Sequence, residues 1–124
     1  MKPADVEAAF VALLAPVAAT GTQVPGRMPP QFIRASRMGG VRIDEVRSRP
    51  TILVECWSHH SRLDASDLAA DAYQAVDAAR YSTVADVWLG GIDFTEPVEY
   101  PDPDRANAWR VQFIATPTVA LTEE

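Results

Sequence analysis

The sequence predicts an α+β domain: a four-stranded, mostly antiparallel or mixed sheet with two helices packed on one face. Three observations carry this expectation. Two segments repeat apolar residues at helical spacing. Four others alternate or run apolar over strand-like lengths. The connections around the late strands are short enough for antiparallel pairing. At 124 residues, 48% of them apolar, residues 1–124 suffice for one domain with one core. No internal repeat or low-complexity tract divides them.

Pro3 to about Ala15 reads as the first helix, with Val6, Phe10, Leu13, Leu14 and Val17 at helical spacing. Pro3 suits a first-turn position, Asp5 and Glu7 suit the positive end of the dipole, and Pro16 ends or kinks the segment. Gly21 to Pro30 is a loop or short extended piece. Gln31 to Met38 reads as a strand closed by Gly39-Gly40. Val41 to Pro50 is charged and lacks a clean period, which predicts a loop or a mobile β-excursion. Thr51 to Trp57 is apolar on both parities, the mark of a central strand covered on both faces or by a neighbouring subunit.

Asp64 to Arg80 is the clearest helix, with Ala65, Leu68, Ala69, Ala72, Tyr73, Val76 and Ala79 in one stripe, and Ser61 or Asp64 as its cap. Thr83 to Phe94 reads as one long strand in which Gly90-Gly91 makes a bulge. Tyr100 to Asp104 is a rigid loop. Ala108 to Thr116 alternates Trp109, Val111, Phe113 and Ala115 against polar neighbours, and Pro117 ends it or places it at a sheet edge.

Charge narrows the functional classes. The net charge is −6, which disfavours non-specific nucleic-acid binding. Arg27 to Arg62 holds seven arginines against Asp44, Glu45 and Glu55, whereas Leu63 to the end holds three arginines against twelve acids. One reading is an uneven solvated surface. The other is head-to-tail contact between copies, with Arg42, Asp44, Glu45, Arg47 and Arg49 facing the acidic edge Asp93, Glu96, Asp102 and Asp104 of an adjacent copy. The uncharged run Ala8 to Gly26 is interrupted by Pro16 and Gly21 and is too broken for a membrane span. Its apolar part resembles a signal-peptide core, but Asp5 and Glu7 offset Lys2 in front of it. The single cysteine, Cys56, excludes an intrachain disulfide.

Candidate chemistry is sparse. Cys56, His59, His60 and Asp64, with Glu55, are the only residues grouped like metal ligands, and a buried strand cysteine followed by a polar turn explains them more simply. A Cys-His nucleophilic pair has no third group to orient it. Gly39-Gly40 and Gly90-Gly91 lack phosphate-loop spacing. The acidic loop lacks the glycine and terminal glutamate of a calcium loop. No metal, cofactor or catalytic residue is expected. Trp57, Trp88 and Trp109 all fall in predicted strands, where core packing is the default and an outward one anchors an interface.

Three segments in order carry a resemblance. They are Pro29-Pro30-Gln31-Phe32-Ile33-Arg34-Ala35-Ser36-Arg37-Met38-Gly39-Gly40; Arg49-Pro50-Thr51-Ile52-Leu53-Val54-Glu55-Cys56-Trp57, followed by the Ala-rich helix; and Tyr100-Pro101-Asp102-Pro103-Asp104 leading into the last strand. Together they resemble the tail terminator, or tail completion, proteins of long-tailed bacteriophages. The resemblance implies a structural subunit of the virion, assembled in the host cytoplasm into a homo-oligomeric ring, usually of six. Such a ring caps the head-proximal end of the tail tube and joins the head-side connector protein, with DNA passing through its lumen without specific binding. The alternatives are another head-tail adaptor, a small metal-dependent hydrolase at Cys56 and His59, a small-molecule isomerase, or a ligand-binding domain.

Overall fold

The computed structural model describes residues 2–123. Helix α1 spans Val6–Leu14 and starts where the Asp5 side chain accepts the Ala8 amide at 3.1 Å. Pro3 therefore lies outside the helix, and the expected start is three residues early. Ala15 caps the other end ahead of Pro16. The second helix, α2, spans Arg62–Ala78, and the Ser61 hydroxyl accepts the Asp64 amide at 3.0 Å to cap it.

The sheet has seven strands, which corrects the expected four. They are β1 (Thr20–Gly21), β2 (Gln31–Arg42), β3 (Arg47–Ser58), β4 (Ser82–Val84), β5 (Val87–Phe94), β6 (Val98–Glu99) and β7 (Trp109–Ala120). The order is β1-β2-β3-β7-β5-β4, with β6 also on β7. Only the β1–β2 pair is parallel, so the sheet is mixed.

The miscount has identifiable causes. Thr83 to Phe94 is a hairpin rather than one strand. Ala85 and Asp86 both have positive φ, 47° and 66°, and form the two-residue turn between β4 and β5. Nothing in Val-Ala-Asp-Val announces such a turn, because glycine or asparagine usually supplies it. Strands β1 and β6 have two residues each, too short to show a period.

Of the two forms expected for Val41 to Pro50, the structure has the β-excursion rather than the loop. Strands β2 and β3 pair from Gln31↔Ser58 out to Arg42↔Ser48 and turn through residues 43–46. The far side of that hairpin is paired too, because Arg47↔Ala120 and Ser48↔Val119 join it to β7. Strand β7 also runs through Pro117 and is central rather than an edge. The β3–β7 pairing is interrupted, in unchanged register, between Ile52↔Ala115 and Ser48↔Val119, so the proline's missing N–H falls where that ladder has a gap, while Pro117 still faces Ile92 of β5. The β5–β7 register shifts between Leu89 and Ile92, placing a bulge at Gly90-Gly91.

Both helices lie on one face of the sheet. Ile33 and Ala35 of β2, Ile52, Val54 and Cys56 of β3, and Val111, Phe113 and Ala115 of β7 meet Phe10, Leu14, Leu68, Ala69, Ala72 and Val76 in one buried cluster. Tyr73 stacks on Phe94 with ring centroids 4.3 Å apart and meets Phe113 edge-on at 5.5 Å. The odd-numbered residues of β3 point the other way, where the loop before β7 covers Trp57.

Candidate assembly surface

The hairpin tip is built around Asp44. Its carboxylate accepts the Val46 and Arg47 amides, each at 2.9 Å, and takes two bonds from the Arg47 guanidinium at 3.0 and 2.8 Å. The Arg47 side-chain bond, then the Val46 amide, hold this carboxyl below its ordinary value. The tip is thereby fixed without burying its own apolar residues. Met38, Val41, Ile43 and Val46 all remain exposed, Val41 to 70%. Arg49 pairs with Asp93 of its own chain and donates to the Thr116 carbonyl at 3.2 Å. Arg42 makes no ion pair or side-chain hydrogen bond among the described residues. Glu45 is exposed beside it.

The acidic set divides. Asp93 is taken up by Arg49. Glu96 and Asp104 are exposed. Asp102 is buried: it accepts the Trp57 indole N–H at 3.2 Å and the Arg105 guanidinium at 3.0 Å, while its other oxygen receives the Asp104 amide. Arg110 lies 4.0 Å from the same carboxylate, bonds Glu55 at 3.0 Å, and sits over the rings of Trp57 and Tyr100. Arg34 approaches Glu55 from the other side at 3.5 Å. Burial raises the Asp102 pKa, but the Asp104 amide, Arg105, Trp57 and Arg110 together outweigh it, and the net direction is down.

This network is structural: it pins the loop before β7 onto the face of the sheet away from the helices. Sequence reasoning placed Asp102 on an outer edge and missed the cluster. The signal was a lone glutamate in an apolar strand, with arginines on facing strands at the same parity, as Arg34↔Glu55 and Trp57↔Arg110 register.

A shallow groove runs where α2 passes the outer edge of β6. Arg62, Leu63, Ser66, Pro97, Glu99 and Val111 line one part, and Ala70, Tyr73, Gln74 and Glu96 continue it. Leu63 is 71% exposed, and Val98 is exposed as well. Trp88 and Trp109 are also partly exposed, whereas Trp57 is buried.

The residues grouped like metal ligands are separated by the fold. Strand alternation puts Cys56 in the core and Glu55 on the opposite face with its arginines. Burial, with a smaller push from Glu55, raises the Cys56 thiol to about 12. Asp64 accepts Ser58 Oγ at 2.6 Å and Gln31 Nε2 at 2.9 Å, and those bonds lower its pKa. The His59 and His60 amides bond Pro30 O and Ser58 Oγ and form the turn into α2. Among the described residues, no group of three or more His, Cys, Asp or Glu side chains is placed to hold one metal ion. No described helix is long and apolar enough to cross a membrane.

The comparison that bears on this architecture is structural. Over 90% of this chain and 84% of its counterpart, the fold superposes on a chain of the virion of a native gene transfer agent particle, with a TM-score of 0.58 and 14% sequence identity. This chain shares the fold of that chain. No protein-family model matches the sequence, and no curated protein does.

Proposed function

We propose that this chain is a structural subunit of a phage-type virion, and specifically a tail terminator. It closes the head-proximal end of the tail tube as a ring of six and presents the joining surface for the head-side connector. The observation that carries the reading is the fold likeness to a gene transfer agent virion chain across nine-tenths of the sequence. The order of the three terminator-like segments supports it, and the net charge of −6 suits a lumen through which DNA slides without being gripped. The role involves no catalysis: Cys56 serves the core and Asp64 the start of α2. The hairpin residues Arg42, Asp44, Glu45 and Arg47, and the exposed acids Glu96, just before β6, and Asp104, in the loop before β7, are the contact residues of this assembly.

Electron microscopy of the purified protein, alone and with polymerising tail tube protein, tests the reading. Rings of about six times the 13.5 kDa subunit mass that stop tube growth from one end are expected. Tubes that elongate unchanged and uncapped in excess protein would sink it.

A further inference from the structure

Two exposed surfaces of this chain complement each other and cannot meet within one copy. The first is the β2–β3 hairpin tip, with Val41, Ile43 and Val46 exposed and Arg42 unpaired among the described residues. The second is the groove between α2 and β6, with Leu63 and Pro97 exposed to solvent or lining it. Asp67 and Asp71, both exposed, continue the helical row that Leu63 begins, and Glu96 stands on the opposite rim. We infer that the hairpin tip of one copy docks in the α2–β6 groove of a second copy. The inference rests on the self-association in the proposed function and names the two surfaces that make it.

The register fixes the geometry. Val111 of β7 lines the groove, while Ala120 of the same strand pairs with Arg47 at the base of the hairpin tip. Nine residues of extended strand separate them, about 30 Å. The surfaces therefore lie at opposite ends of the sheet, and joining them is a head-to-tail contact, which propagates or closes into a ring. Charge suits this pairing. Asp44 and Arg47 neutralise each other at the tip, which among the described residues leaves Arg42 and Glu45 free to face the groove. The groove carries Arg62, paired with Glu99, and is otherwise bordered by Asp67, Asp71 and Glu96, so groove against groove brings carboxylates together, whereas hairpin in groove sets Arg42 against carboxylate and Glu45 near Arg62 around an apolar centre.

The test uses new cysteines in the full chain, because Cys56 is fully buried and stays silent. Ile43→Cys and Ser66→Cys are made singly and together and treated with a short bis-maleimide. The doubly substituted chain should give a ladder of covalent multimers. A mixture of the two single variants should give dimers only, and each single variant alone should remain monomeric on a denaturing gel. In parallel, Arg42→Glu should weaken association roughly tenfold, and adding Asp67→Lys with Glu96→Lys should recover most of it. Self-cross-linking of Ile43→Cys alone overturns the inference. So do rings of the doubly substituted chain that give no ladder, and a wild-type chain that stays monomeric at its highest soluble concentration. A ladder from a protein that leaves tail tubes uncapped upholds the contact and rejects only the terminator role.

Discussion

Gly40 sits where β2 and β3 slip register, between Arg37↔Ile52 and Gly40↔Pro50. Its φ is 137°, and a Cβ there would lie 2.5 Å from both the Arg49 carbonyl oxygen and Pro50 Cα. Both obstacles are backbone, so neither can turn aside. Gly40→Ala should cost about 2–3 kcal/mol in a urea titration, and a loss under about 0.5 kcal/mol would mean the bulge relaxes freely. The Gly-Gly pair was legible as a strand-breaking signal, but not that the strand resumes beyond it. Cys56 makes the opposite case. Its place in an apolar strand foretold burial, and burial with the thiol raised to about 12 predicts no reaction with a maleimide in the native protein. Labelling should appear only with unfolding; rapid labelling of native protein would contradict the packing described for β3.

At the scale of elements, periodic segments were readable and paired irregular ones were not. Helix α2 showed its buried face in sequence because one-sided burial imposes a period, and the centre of β3 showed its central position by being apolar on both parities. The hairpin arms beyond Gly40 show none: the β3 arm is held by main-chain bonds to β2 and β7, and the turn by the Asp44 carboxylate, rather than by a buried face. The same applies to β1 and β6, which take their backbone pairing from longer neighbours. Of the candidate contact residues, sequence placed Arg42 and Glu96 on the surface, where they lie. It could not foresee that Arg49 and Asp93, 44 positions apart, satisfy each other. Where a cap does show in sequence its worth is testable: Ser61→Ala leaves the Asp64 amide without its partner and should destabilise the fold by about 1 kcal/mol. Since Asp64 still accepts Ser58 and Gln31, the turn into α2 should persist and helical circular dichroism at low denaturant should be unchanged.

For the whole molecule, acid is the condition that tests these polar contacts together. Asp44, Asp64 and Asp102 all ionise more readily in the fold than at the ordinary value of 3.8. Asp44 is favoured chiefly by Arg47 and Asp64 chiefly by Ser58. For Asp102, burial opposes ionisation, and the donors from Asp104, Arg105 and Trp57 with the charge of Arg110 override it. The unfolded chain therefore takes up protons on these groups at a higher pH than the folded chain, and stability falls as pH falls. The contribution is complete above about pH 5 and is lost as pH drops below the unfolded value toward the depressed ones. The melting temperature should show no slope from these groups between about pH 5 and 8 and should drop below about pH 4. Asp102→Asn isolates the buried member. It should melt lower at neutral pH, by an amount equivalent to about 2–3 kcal/mol, because Arg105 and the Trp57 indole lose a charged acceptor. Its melting temperature should also fall less steeply in acid, since the group that titrates is gone. An acid slope identical in Asp102→Asn and wild type would place the acid-sensitive contact elsewhere and reduce Asp102 to a neutral packing element under the loop it pins.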